Sequence, residues 1–194
     1  MIYIGSGRSG DMPRICLMSD SHENVDAIRR AVDFFNSVIK GDEKNSLVVH
    51  AGDIISPIMA NLLAAVKTKI IGVFGNNDGE KNLWRRKFAD FPSGIEINER
   101  YCEADFQGKK ILILHEPYLL DALADSGKYD FIFYGHTHII DIRKMKNGGV
   151  IVNPGEVCGY ITGKSTCAVI DLKSGKVSVH DIYNPQNIVS ALVY

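Results

Sequence analysis

The 194-residue sequence contains little that would tie it to a membrane, a disulfide scaffold or a nucleic-acid backbone. No apolar run approaches the ~20 residues needed to cross a bilayer, and the N-terminus has no apolar segment of signal-peptide type. Four scattered cysteines (Cys16, Cys102, Cys158 and Cys167) form no C-x-x-C pair. That excludes a disulfide framework and fits a reducing cytosol. Lysine and arginine number 22 against 23 aspartates and glutamates, a net charge of -1, which excludes a grip on nucleic acid through general positive charge. Internal repeats, low-complexity tracts and linkers are absent. The expectation is a cytoplasmic enzyme or binding module. With 45% hydrophobic residues it can bury roughly 70% of its unfolded surface without staples.

What is present is orderly from Pro13 onward. Residues 1–12, rich in Gly and Ser, read as a flexible extension, and residues 13–194 as one domain. Residues 14–18 are a short apolar run, which predicts a buried strand. Val25, Ile28, Val32, Phe35 and Ile39 recur at spacings of 3, 4, 3 and 4, one face of an amphipathic helix ending near Gly41. Residues 47–50 predict a second strand, a helix through Ile58, Leu62, Leu63 and Val66 follows, and residues 69–74 predict a third strand. A β-α-β-α-β order implies right-handed crossovers and a largely parallel sheet. A polar helix at 81–88, strand-like pieces over 94–106, a Gln107-Gly108 turn and a strand at 109–114 come next. A helix over 117–125 and a strand at 131–134 follow. Beyond Ile139, turn signals at Asn147-Gly148-Gly149, Asn153-Pro154-Gly155 and Ser174-Gly175 predict antiparallel strands.

In parallel α/β sheets, ligands bind beyond the carboxyl ends of the strands. Five successive strand ends here deliver metal-ligand residue types: Asp20-Ser21-His22, Gly52-Asp53, Gly75-Asn76-Asn77-Asp78, His115, and Gly135-His136-Thr137-His138. Residues two apart in extended chain project the same way, so Asp20 with His22, and His136 with His138, can each aim a pair at one place. The glycines beside Asp53, Asn76 and His136 permit close backbone approach. Mixed carboxylate, amide and imidazole donors suit manganese, iron, zinc or nickel better than calcium or magnesium, and the lack of cysteine ligands argues against a structural zinc.

The set D-x-H…G-D…G-N-x-D…H…G-H-x-H resembles the calcineurin-like metallophosphoesterase superfamily over residues 14 to about 160. The compact size and the GNND form resemble its small YfcE-type phosphodiesterases in particular. The resemblance implies an α/β fold, a four-layer α-β-β-α sandwich of two mixed sheets. It implies two divalent metal ions, manganese first, with nickel, iron or zinc as alternatives. Asp20, His22, Asp53 and His138 would hold one ion. Asp53 would bridge to the other, completed by Asn76, His115 and His136, and a hydroxide shared by the ions would attack the phosphorus in line. Two ions, two carboxylates and one hydroxide leave about one positive charge, which suits a small phosphodiester monoanion, with phosphomonoesters as the alternative substrates.

Two departures stand out. Many relatives carry G-N-H-D/E, whose histidine contacts the phosphate or protonates the leaving group; this chain has Asn77, whose amide is not a titratable acid. Many relatives read H-G-H where this chain reads His115-Glu116-Pro117. Asn153-Pro154-Gly155-Glu156 resembles a stretch that is often N-P-G-S.

Several residues carry blander readings. His50 fits the family pattern as a supporting or core residue, and His180 stands apart from the motifs. Asp78 is balanced between supporting the site and capping the next helix. Cys158 reads as a packed thiol, and Trp84-Arg85-Arg86-Lys87 as a solvated helix face. Gly5-x-Gly7-x-x-Gly10 matches a dinucleotide fingerprint but leads into a strand rather than a helix. Two other functions compete with the enzyme: a non-catalytic protein-assembly scaffold, of which one retromer subunit with this fold is an example, and a nuclease. The filled ligand set favours the enzyme, and the lack of a basic surface disfavours the nuclease. Homo-oligomerisation is left open.

Overall fold

A computed structural model of the chain describes residues 1–4, 12–89, 91 and 94–194. Among the described residues the elements follow as β1 (Ile2–Ile4), β2 (Arg14–Met18), α1 (Val25–Val38), β3 (Leu47–His50), α2 (Ala60–Leu63), β4 (Ile70–Val73), α3 (Lys81–Ala89), β5 (Ile95–Asn98), β6 (Tyr101–Phe106), β7 (Lys109–Leu114), α4 (Leu120–Asp125), β8 (Phe131–Phe133), β9 (Ile140–Lys144), β10 (Val150–Pro154), β11 (Thr166–Asp171), β12 (Lys176–Asp181) and β13 (Ile188–Val193).

Alternation along the strands sets the layers. In β2, Ile15 and Leu17 face one core while Cys16 and Met18 face another, and all four are fully buried. β7 divides the same way, with Ile111 and Ile113 on one side and Leu112 on the other. Strands apolar on both faces must be covered on both. A seven-stranded sheet in the order β13-β12-β11-β2-β3-β4-β5 therefore packs against a six-stranded sheet ordered β1-β6-β7-β8-β10-β9. Their facing sides share one core of Ile15, Leu17, Val49, Ile113, Phe131 and Phe133 among others. The outer face of the larger sheet is covered by α1, α2 and α3 through Phe35, Leu63 and Trp84. That of the smaller carries α4 through Leu120. The result is the expected four-layer α-β-β-α sandwich of two mixed sheets. No helix of the described residues is long and apolar enough to cross a membrane.

β2, β3 and β4 run parallel, so their carboxyl ends at Asp20, Asp53 and Asn76 reach one rim. β7 and β8 run parallel in the other sheet and bring His115 and His136 to it. At this rim the loops of both sheets bring all these residue types together.

Three expectations need correction, and a fourth reading lies outside the described residues. Ile2–Ile4 do not belong to a free extension: they pair in parallel with β6 and pack Ile2 and Ile4 against the inter-sheet core, with Tyr3 outward. Three alternating residues are too short a pattern to read as a strand. The dinucleotide-like glycines Gly5, Gly7 and Gly10 lie outside the described residues. The helix expected through Ile58 to Val66 is a 3₁₀ turn at Pro57–Met59 followed by the four residues of α2, because Ile58 points to solvent and adds nothing to the buried face. The C-terminal strands are not uniformly antiparallel. The hairpin at Asn147-Gly148-Gly149 pairs β10 antiparallel with edge strand β9, but it also folds β10 back beside β8, with which it runs parallel.

The cluster at Trp84 also divides. Arg85 and Arg86 are exposed, but Trp84 is fully buried and its ring centroid lies 4.8 Å from that of Phe88. Trp84 therefore anchors α3, and Trp84→Ala should cost about 3–5 kcal/mol in urea unfolding. A loss below about 1 kcal/mol would show that α3 is held by its surface ion pairs instead.

Candidate metal centre

The strand-end residues meet because their backbones turn sharply as the strands stop. Asp20, His22, Asp53, His136 and His138 all take left-handed backbone conformations, with φ between 44° and 67°. Such conformations are costly for residues with a Cβ and gather at functional sites. Backbone hydrogen bonds tie the turns together: Asp20 N–H donates to Gly52 O at 3.0 Å, His22 N–H to Asp53 O at 2.9 Å and Gly135 N–H to His115 O at 3.0 Å. The His136 N–H donates to both Asp20 carboxylate oxygens, at 3.1 and 3.2 Å. Close approach needs glycine at two points. A Cβ on Gly75 would lie 2.1 Å from Asp53 Oδ1, and one on Gly135 would lie 1.9 Å from Ser19 Oγ.

Two groups of electron-pair donors result, and Asp53 belongs to both. In the first, donor atoms of Asp20, His22 and Asp53 all lie within 4.8 Å of one another. His138 Nε2 joins at 3.5 Å from Asp20 Oδ1, and the His22 and His138 rings stack at 5.4 Å. In the second, His115 Nε2 is 3.4 Å from Asp53 Oδ2 and 2.9 Å from Asn76 Oδ1, and His136 Nδ1 is 2.9 Å from that same amide oxygen. Every residue expected as a ligand thus falls in one group or the other, while Asn77 and Asp78 from the same strand ends fall in neither. The Asn77 side-chain amide donates to Asp53 Oδ2 at 2.7 Å and its backbone N–H to Asp53 Oδ1 at 2.9 Å. It steadies the shared carboxylate.

The donor set fits cations. His115 Nδ1–H donates to Ala51 O at 2.8 Å, so Nε2, facing a carboxylate and an amide oxygen, is the atom at which a cation would take the place of a proton. Burial opposes charge on His115, but the hydrogen bond and field of Asp53 outweigh it and hold its pKa above the ordinary value. For Asp53, burial would raise the carboxyl, yet His115 and Asn77 hold it well below the usual carboxylate range. His22 Nε2 is buried without a hydrogen-bond partner, 4.0 Å from Asp53 Oδ2. Lone pairs gathered at such distances repel one another unless a positive charge lies among them.

Surrounding residues hold this arrangement. Asp78 is not a helix cap: its carboxylate accepts from the N–H groups of Asp53, Ile54, Ile55 and Gly75 at 2.6–3.0 Å, and so locks the turn that presents Asp53. His50 is fully buried, accepts from Gly52 N–H through Nδ1 at 3.1 Å, and meets Ser21 Oγ through Nε2. Burial drives its pKa down to about 3, so it stays neutral. His180 lies elsewhere, against Phe34.

Glu156 and Cys158 had no assigned place in the site. Glu156 is fully buried and accepts from His138 Nδ1 at 2.7 Å and from Cys158 Sγ at 3.0 Å. The Cys158 thiol also lies within 4.8 Å of donor atoms of His22 and His138. Burial and the Glu156 charge push it up to about 12, so it remains a thiol. Only the unusual Glu after Asn153-Pro154-Gly155 marked this corner in the sequence. A cavity of about 430 Å³ opens beside Asn76 and His115, walled by Phe74, Lys81, Tyr101 and Tyr118 among others.

The fold and this rim define a phosphoesterase of the calcineurin-like class. The family model of the calcineurin-like phosphoesterase superfamily domain matches residues 14–175, and the chain belongs to that family, as a hydrolase of ester bonds. It is 32% identical over 160 residues to the phosphodiesterase MJ0936 of Methanocaldococcus jannaschii, covering 81% of this chain and 92% of that one. A solved archaeal phosphodiesterase superposes with a TM-score of 0.78 at 30% identity, covering 87% of this chain and 99% of that one. Vacuolar Protein Sorting 29 from Cryptosporidium parvum shares the fold, with a TM-score of 0.67 at 19% identity over 95% of this chain and 100% of that one.

The left-handed turns carry a measurable cost. A left-handed residue with a Cβ costs about 1–2 kcal/mol, while glycine's extra freedom in the unfolded chain returns about 0.5–1. His136 is exposed, so His136→Gly should stabilise the metal-free protein by about 0.5–1 kcal/mol in urea unfolding with chelator present. Destabilisation of that size would show that the turn is unstrained.

Proposed function

We propose that the chain is a two-metal phosphodiesterase acting on small phosphodiesters, with Asp53 shared between the two ions. The observation that carries the reading is the sharing itself: one carboxylate, Asp53, stands between an Asp20/His22/His138 group and an Asn76/His115/His136 group. Manganese is the first candidate metal, with nickel, iron or zinc as alternatives, because the donors mix imidazole, carboxylate and amide and no thiolate is required. When bound, the ions supply an activated water and Lewis acidity toward the phosphoryl oxygens.

The residues of the chain do the rest. Asn77 and Asp78 hold Asp53 from both sides, Ala51 O fixes the ring of His115, and Glu156 fixes that of His138. His136 and Asn76 lie at the exposed lip, where they can meet the phosphoryl group. The adjoining cavity has room for one ester arm of a diester. The likeness to archaeal phosphodiesterases supports the diester preference.

Asp53→Asn removes the shared charge and should bring hydrolysis of bis(p-nitrophenyl) phosphate in added Mn2+ down to background. Retained turnover would refute the two-metal reading. No turnover by a fully metal-loaded wild type would favour a scaffold role.

A second expectation follows from Asn77. Its amide is committed to Asp53 and cannot titrate, so alkoxide leaving groups lack a proton donor at this position. Alkyl diesters should be cleaved about 10²–10⁴-fold more slowly than aryl diesters, the range a missing general acid accounts for. Rates that do not change with leaving-group basicity would contradict it.

A further inference from the structure

We propose that Glu156 is a positioning residue that selects the tautomer of His138 and fastens the loop of residues 158–164 to the metal centre, so that ion binding and loop order rise together. The inference rests on the two-metal reading above.

Glu156 is a fully buried carboxylate, and its only ion-pair partner among the described residues is His138. A buried charge is tolerated only when it is well hydrogen-bonded. Its oxygens accept from His138 Nδ1 at 2.7 Å, Cys158 Sγ at 3.0 Å, Ile161 N–H at 3.0 Å, Thr162 N–H at 2.5 Å and Thr162 Oγ1 at 2.8 Å. A carboxylate has about four lone-pair sites, so these are saturated. Two consequences share this one anchor.

The first concerns His138. With Nδ1–H donating to Oε2, the neutral ring must carry its lone pair on Nε2, which lies 3.5 Å from Asp20 Oδ1. A carboxylate behind a ligating imidazole fixes the tautomer and raises its basicity, and loss of such a partner lowers metal affinity about 10–100-fold. The second concerns the loop. Ile161 and Thr162 are held by the same carboxylate, while the other end of the loop is fixed by Cys158 N–H to Asp20 O at 3.0 Å and Asn24 Nδ2 to Cys158 O at 2.8 Å. Between the anchors, Tyr160 stands exposed with its ring 6.3 Å from that of His22, and the Ile161 side chain beside it is exposed as well. An ion drawing on Nε2 polarises the Nδ1–H bond and tightens the Glu156 anchor, and with it the loop that faces substrate.

Glu156→Gln tests this. Its amide can still accept from Ile161 and Thr162, but its NH2 opposes the proton on Nδ1 and favours the wrong tautomer. Calorimetric titration with Mn2+ should show affinity about 10–100-fold weaker than wild type. In wild type, Mn2+ should slow hydrogen exchange at the Ile161 and Thr162 amides, and in Glu156→Gln it should not. Equal Mn2+ affinity in the two proteins would overturn the proposal. Should the variant fail to fold, nitrogen-15 NMR of the metal-free wild type decides: a protonated Nδ1 on His138 upholds the proposal, and a protonated Nε2 overturns it. Wild-type protein that binds no Mn2+ but shows the Nδ1–H tautomer would sink the metal-centre reading instead.

Discussion

Electron-rich groups crowded together around Asp53 are the constraint on which the structure turns. Two carboxylates, four imidazoles and one amide oxygen converge at the rim of two sheets, with their nitrogen and oxygen atoms 2.9–4.0 Å apart. Among them, only protons on the imidazoles and the amide of Asn77 offset the crowding of the oxygens. Five of these residues also sit in left-handed backbone, at about 1 kcal/mol or more each. Their sum, roughly 5 kcal/mol, is as large as the net stability of many whole domains. The strain persists because other parts of the fold over-determine it. Asp78 binds three backbone N–H groups of the Asp53 turn and that of Gly75, glycines at 75 and 135 admit atoms that a Cβ would strike, and backbone bonds stitch one strand end to the next. The two large apolar layers between and outside the sheets supply the rigidity behind them. Such a donor set is suited to cations, which is why the proposed function places them there.

The same constraint orders the chemistry. Hydrogen bonds spent on Asp53, His115 and His138 from behind leave their remaining lone pairs aimed inward. Asn77 belongs to that supporting set, so the chain invests in orienting its ligands and leaves the leaving-group proton to another source. The enzyme class follows from the family, while diester preference and metal number belong to the proposed function.

Much of this was legible in the sequence because strand ends concentrate it. Asp20, His22, Asp53, Asn76, His115, His136 and His138 were each readable as the polar stop of an apolar run, and the parallel order of β2, β3 and β4 placed three of those stops on one rim. The two mixed sheets came from the family resemblance, since the antiparallel pattern after Ile139 does not separate them: β9 and β10 join one sheet and β11–β13 the other. What escaped reading depends on contacts between residues remote in sequence. Glu156 finds His138 across 18 positions and Asp78 finds Asp53 across 25, and no periodicity encodes either pairing. Trp84 looked like part of a charged face because its basic neighbours masked the one position that turns inward. β1 was missed because three residues are too few to declare a period of two.

The sharing of Asp53 is the central claim, and electron paramagnetic resonance of the manganese-loaded protein tests it most directly. Two ions bridged by one carboxylate must exchange-couple, so the spectrum at full loading should be that of a spin-coupled manganese pair. A spectrum of isolated Mn2+ ions persisting at full loading would contradict it.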